Sequence, residues 1–196
     1  MKKIIPIINL AATFASVKRT TGYREGHLEN DAEHSYQLAL VCWSANEQYD
    51  LGLKDELILK FALVHDLIEI YVGDIDAFDD KEKIATKKES EAKAFARLKA
   101  EYAPFEDMIS AIERYEKKAE VEAQLVYVMD KFIVDANIHH SKGDYYRSRK
   151  ITIVDWREWL VGKINCIILN PLLKPLVHES MREIEMNFSD TFFQEK

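Results

Sequence analysis

Glycine and proline are scarce in this chain, six and four in 196 residues, about 5% where average usage gives roughly 12%. A sandwich or barrel needs turn residues every ~8–12 positions, so the shortage speaks against those folds and for long helices joined by few loops. Cysteine is nearly absent as well, with only Cys42 and Cys166. Neither belongs to a CxxC pair, and both fall inside apolar helical patterns, which predicts buried, reduced thiols in a cytoplasmic protein. A basic surplus is missing: 27 Lys and Arg stand against 34 Asp and Glu, a net charge of −7. Broad binding to a nucleic-acid backbone rests on such a surplus, so it is not expected here. A long hydrophobic run is missing too. Behind Lys2 and Lys3, the stretch from Ile4 to Ala15 is interrupted by Asn9 and Thr13 and falls short of the ~20 residues that cross a membrane. Its Ile4, Ile7, Ile8, Ala11, Phe14 and Ala15 share one helical face, which predicts a packed first helix rather than a leader.

What is present is ordinary globular composition, 47% hydrophobic and 31% charged. At this length a single compact domain over residues 1–196 is expected, with helices at about 150–190 completing or extending it. Helical periodicity predicts segments at 6–17, 31–49, 55–71, 86–102, 105–117, 119–140 and 152–169, and a last one ending near 188. No stretch shows the alternation and turn signals of a sheet. The expected fold is all-α, with roughly eight helices. The third segment is apolar on most sides, which predicts a central, buried helix.

Polar residues set into apolar pattern carry the functional signal. Val64-His65-Asp66-Leu67-Ile68-Glu69 puts three ionisable groups where the periodicity calls for buried wall, and burying them costs several kcal/mol each unless something pairs with them. A lone core histidine is usually just hydrogen-bonded, but an adjacent His-Asp pair can bind one metal ion, with Glu69 a turn away on the face of His65. His34, near the start of the second segment, and Asp130, in the run from Val126 to Phe132, would complete an N₂O₂ donor set drawn from three helices. Such a set leaves positions open for water and substrate, as a catalytic divalent ion requires. Taken alone, Asp130 reads equally as a salt-bridge partner of Lys131.

The order of these residues, H…HD…D, resembles the HD-domain metal-dependent phosphohydrolases. The segment from Leu63 to Ile75 is similar to the HD-x-x-E-x-x-x-G-D stretch of the HD-domain 5′-deoxynucleotidases, with Glu69 and the pair Gly73-Asp74 in place. Arg19, fifteen residues ahead of His34, and Tyr115-Glu116, Ala123 and Asp130 fit the same family, so that the likeness covers about residues 10–135. It departs at Ala32, where the family usually has Ser, and at Thr20, where bacterial members often carry a Trp.

The resemblance implies an all-helical phosphohydrolase whose divalent ion (Mn²⁺, Co²⁺, Fe²⁺, Ni²⁺ or Zn²⁺) is held by His34, His65, Asp66 and Asp130. Arg19 would bind the phosphate of a small nucleotide, Glu69 would position or deprotonate water, and Asp74 would assist proton transfer to the leaving 5′-oxygen. The implied reaction is hydrolysis of a (deoxy)nucleoside 5′-monophosphate. Two other readings stay open: an HD phosphohydrolase for nucleoside triphosphates, cyclic dinucleotides or alarmones, and a metal-stabilised helical binding module without turnover. The resemblance also implies a homodimer, for which Val154, Trp156, Trp159, Leu160 and Ile167 form a candidate apolar set. His139-His140 reads as a helix end rather than a second metal site. Asp76, Asp79 and Asp80 read as a solvated loop, since the glycine and glutamate of a calcium loop do not fall at the required offsets.

Overall fold

The computed structural model describes residues 4–24, 27–74, 78 and 81–194. Helices dominate, as expected. They are α1 (Ile5–Phe14), α2 (Asp31–Gln48), α3 (Asp55–Val64), α4 (Glu69–Val72), α5 (Lys81–Glu101) and α6 (Glu106–Lys117), then α7 (Val121–His140), α8 (Asp144–Ser148), α9 (Ile153–Asn165) and α10 (Lys174–Asn187). None of the described helices is long and apolar enough to cross a membrane.

The polar stretch after α1 corrects the expectation of no sheet. Strands β1 (Lys18–Arg24) and β2 (His27–Asn30) form an antiparallel pair with Lys18 opposite Asn30 and Gly22 opposite Leu28. Register irregularities between these pairs blur the alternation by which a strand is recognised in sequence. The hairpin delivers Asn30 to the start of α2, where its side chain accepts from Ala32 N and Glu33 N while Glu33 returns a bond to Asn30 N. This capping box satisfies helix-end donors and leaves Asp31 for another task.

A second correction concerns 55–71. The segment is not one helix: α3 stops at Val64, and a tight turn through His65–Ile68 precedes α4. Backbone bonds three residues apart, Leu67 N to Val64 O and Glu69 N to Asp66 O, wind this turn more tightly than an α-helix. Gly73, at φ 72° and ψ 169°, then takes a conformation open in practice only to glycine, ending α4 and releasing Asp74.

The central helix is α7, not α3. It buries twelve residues, Asp130 and Asp135 among them, against α2, α3 and α10. Leu63 of α3, by contrast, is exposed. The main core runs from Leu38 through Phe61 and Val126 to Trp156, Leu173 and Phe192, while Leu10, Phe14, Val64 and Leu98 belong to a second cluster. In α1 it is Leu10 and Phe14 that are buried, whereas Ile4 and Ile8 of the expected face are exposed. The apolar set of the C-terminal helices also divides. Trp156 and Leu160 are fully buried, Val154 is exposed and Trp159 lines a cleft, so the set covers core and cleft rather than presenting one partner face. Cys42 is buried as expected, but Cys166 is exposed just after α9. Asp76, Asp79 and Asp80 lie outside the described residues.

Candidate active site

His65 and Asp66 sit in the turn between α3 and α4, His34 one turn into α2, and Asp130 in the middle of α7. One donor atom from each lies within 4.8 Å of all the others, so residues up to 96 positions apart converge. The two imidazole rings are 5.3 Å apart between centroids. His65 Nδ1 lies 2.9 Å from the carbonyl of Ala62. A carbonyl can only accept, so Nδ1 donates to it and Nε2 is the ring nitrogen turned toward the cluster. That Nε2 is buried with no hydrogen-bond partner, although Asp66 Oδ2 stands 2.9 Å away. Two imidazoles and two carboxylates, with an unpartnered ring nitrogen among them, fit a divalent transition ion.

The carboxylates of this cluster are held by cations. Asp130 meets His34 Nε2 at 2.9 Å through Oδ1 and Lys131 through Oδ2. Burial works to raise its pKa, but Lys131 and then His34 hold it well below the usual range. The salt bridge to Lys131 is therefore real and coexists with a place in the cluster. Asp66 is likewise kept below the usual range, against burial, by His65 and Arg19. Sequence neighbours offer Asp66 no cation; the chain supplies one from a distance, Arg19 Nη1 at 2.8 Å from Asp66 Oδ2.

Arg19 reaches the site from β1. Its guanidinium is buried among Asp66, Asp31 at 3.4 Å and Glu29 at 3.8 Å. Burial opposes its charge, yet Asp66, Asp74, Glu69 and Asp130 together raise its pKa well above the ordinary value. The arginine is permanently cationic. Glu69, at the start of α4, is buried, and Oε2 has no hydrogen-bond partner. Burial first, and then the charge of Asp66, pushes its carboxyl well above the usual range. Asp74 lies across the hairpin, where Oδ2 accepts from Thr20 N at 2.7 Å and Thr20 Oγ1 at 3.1 Å. Thr20 thus fixes an acidic group at the cleft.

Arg19, Asp66, Glu69, Asp74 and Asp130 line one cleft. Its far wall is made by Phe78, Val134, Ile138, Tyr145 and Trp159, with the rings of Phe78 and Trp159 5.5 Å apart. The cleft can take a ligand with a charged and a flat apolar end. His139 and His140 are not part of it. His139 stacks on Phe188 at 4.1 Å and bonds Thr191 Oγ1.

Sequence reasoning missed several groups at this site. Asp31, the first residue of α2, turns its carboxyl to Arg19 and is raised to about 7, by burial and then by the charge of Asp66. Glu29, fully buried, Lys131 as a cleft residue, and Trp159 carry no motif of their own. Their positions emerge only when the hairpin, α7 and α9 pack together.

The chain matches the HD domain family over residues 12–159. It is 25% identical over 190 residues to the 5′-deoxynucleotidase hdd1 of Schizosaccharomyces pombe, covering 93% of this chain and 90% of that protein. It is 28% identical over 113 residues to the 5′-deoxynucleotidase HDDC2 of Danio rerio, covering 57% and 54%. Among solved structures, a predicted metal-dependent phosphohydrolase from Magnetospirillum magnetotacticum MS-1 has the same fold, with a TM-score of 0.76 at 21% identity over 97% of this chain and 94% of that one. The PH0347 protein of Pyrococcus horikoshii OT3 aligns with a TM-score of 0.63 at 23% identity, over 91% of this chain and 98% of that one.

Proposed function

The chain belongs to the HD-domain family, and from that premise we propose that it is a divalent-metal-dependent phosphomonoesterase, hydrolysing deoxynucleoside 5′-monophosphates to nucleoside and phosphate. The observation that carries this reading is the cleft: Asp66 and Asp130 of the four-donor cluster line it beside Arg19 and Lys131, and the paired rings of Phe78 and Trp159 line it as well. The names of the yeast and zebrafish relatives support the substrate class.

His34, His65, Asp66 and Asp130 would hold the ion, which when bound supplies Lewis acidity to the phosphoryl group and to water. Arg19 balances the charge of the phosphate with a fork of fixed donors, a match of planar guanidinium to phosphate oxygens. Glu69 takes the proton of the attacking water as its oxygen bonds to phosphorus; a carboxylate whose proton affinity is raised is the better base. As the bond from phosphorus to O5′ breaks, Asp74, oriented by Thr20, assists transfer to O5′ of the proton that Glu69 took from water. The sugar and base lie along Val134, Ile138 and Trp159. On this reading residues 1–196 act as one unit, because α9 gives Trp159 to the cleft and Trp156 to the core shared with α2 and α7.

Phosphate release from a panel of ribo- and deoxynucleoside 5′-monophosphates, with Mn²⁺ or Co²⁺ and again with chelator, tests the assignment. Release that depends on metal and favours deoxy substrates is expected; no release from any member of the panel removes the reading. The homodimer that the family likeness implies belongs to the same proposal. A particle near 22.8 kDa by light scattering at micromolar concentration would remove that part alone.

A further inference from the structure

We infer that Glu29 is a positioning residue whose single carboxylate anchors both His34 and Arg19, tying a metal ligand to the cation that faces the phosphate. This rests on the metal-site reading above. Glu29 is the penultimate residue of β2 and is fully buried, in a place where an anion is costly unless it is paired. Oε1 accepts from Asn137 Nδ2 at 3.1 Å and lies 3.5 Å from His34 Nδ1. Oε2 lies 3.8 Å from Arg19 Nε.

Three buried polar atoms, His34 Nδ1, Arg19 Nε and Glu29 Oε2, lack a hydrogen-bond partner, and all three belong to this group: the imidazole faces Oε1 and the guanidinium faces Oε2. Both separations exceed a good hydrogen bond by about half an ångström to an ångström. A small inward movement therefore satisfies all three. The anchor itself is braced. Asn137 and Gln37 exchange reciprocal amide bonds of 2.8 and 3.0 Å, and they sit on α7 and α2, the helices that carry Asp130 and His34.

The chemistry of the two imidazoles then differs. His65 gives its Nδ1–H to a neutral carbonyl of its own helix, whereas His34 faces a carboxylate brought in by the hairpin. An imidazole that gives Nδ1–H to an anion presents Nε2 to a metal and binds it more strongly. Because the same carboxylate also faces the guanidinium, removing it loosens the metal end and the phosphate end together.

The test uses the full chain with Mn²⁺ and, separately, inorganic phosphate as probes, measured by titration calorimetry on wild type, Glu29→Gln and Glu29→Ala. Gln keeps the shape but turns an N–H₂ group toward one of the two donors, so it preserves folding where Ala fails; circular dichroism checks the helices in both. Mn²⁺ affinity is expected to fall ~10-fold or more in a folded variant, with phosphate bound about threefold to tenfold more weakly to the Mn²⁺-loaded protein. The visible d–d absorption of the Co²⁺-loaded protein should shift as well, which a role in folding alone would not cause. Unchanged affinities in folded Glu29→Gln overturn the inference, and so does a loss of one affinity without the other. A wild type that binds no Mn²⁺ fails the metal-site reading and this inference with it, whereas a wild type that binds beside an undiminished variant fails the inference alone.

Discussion

Asp130 and Asp135 stand five residues apart on α7 and line one cleft, and their carboxyl groups are driven in opposite directions. Both are buried, so desolvation raises the pKa of each. At Asp130 the cation of Lys131 and the imidazole of His34 reverse that and keep the group ionised. At Asp135 the partners are neutral: Tyr146 donates its hydroxyl to Oδ1, and Trp156 donates Nε1–H to Oδ2 at 2.9 Å. These bonds offset burial only in part, and the carboxyl is pushed up to about 7. What a buried carboxyl can do is set by the charge of its partner rather than by depth. The cleft is therefore lined by one carboxylate suited to hold a cation and by one carboxyl kept among neutral partners.

The harshest way to break this contrast is to remove a carboxylate from the charged end. Asp66→Ala should bind less than about a tenth of the metal of wild type, by the scale of lost metal-site contacts, and turnover should vanish. Helical circular dichroism should survive, because Arg19 retains Asp31 at 3.4 Å and Glu29 at 3.8 Å and is not left without an anion. Elemental analysis decides the matter: normal metal content in the variant removes Asp66 from the ligand set.

The charged end was also the more legible one in sequence. Helices and their apolar faces follow from periodicity; His65, Asp66, Glu69 and Asp130 stand out because each interrupts an apolar run, and His34, in polar surroundings, because a metal held by the others needs a further ligand. Local pattern carries no record of what arrives from elsewhere in the chain. Arg19 stands 47 positions from Asp66 in sequence, and the irregular register of the hairpin that joins them hides it. The turn at His65–Ile68 is equally silent, since its residues fit a helix as well as they fit the tighter winding that gathers the ligands. At the aromatic end, Trp159 and Trp156 are three residues apart on α9 and look alike in sequence. Packing makes one a cleft wall and the other a core residue bound to Asp135.

Changing the charge state of Asp135 sharpens the contrast through pH. Its carboxyl is raised in the folded protein and ordinary, near 3.8, in the unfolded chain. Between pH ~4 and ~7 the unfolded state has therefore released a proton that the native state still holds. With fewer protons bound in the unfolded form, stability falls as pH rises through that window, and the loss is complete above pH ~7. Asp135→Asn removes this contribution while keeping the size of the side chain. Denaturant unfolding of the two proteins at pH 4.5 and 7.5 should show wild type losing a few kcal/mol more than the variant over that interval. Equal losses would mean that the carboxyl is ionised in the fold, and the contrast with Asp130 would collapse.

The gentlest probe is Trp159→Ala, which strips the aromatic end and leaves the charged end intact. Trp159 is partly exposed and stands against Phe78 rather than within the central core, so the truncation should leave the fold in place, with helical circular dichroism as the check. If a base stacks there, its loss should cost about 1–3 kcal/mol of binding, the usual scale for a base on an aromatic side chain. KM for a deoxynucleoside 5′-monophosphate should then rise about tenfold with little change in kcat, because stacking holds substrate and transition state alike. The control is 2-deoxyribose 5-phosphate, which carries the phosphate and sugar but no base. Wild type should prefer the nucleotide over it, and the variant should lose most of that preference without turning over the base-free substrate any more slowly. If both substrates suffer equally, Trp159 acts on the phosphate end through packing, and the two ends of the cleft are not the separate sites that the opposite behaviour of Asp130 and Asp135 suggests.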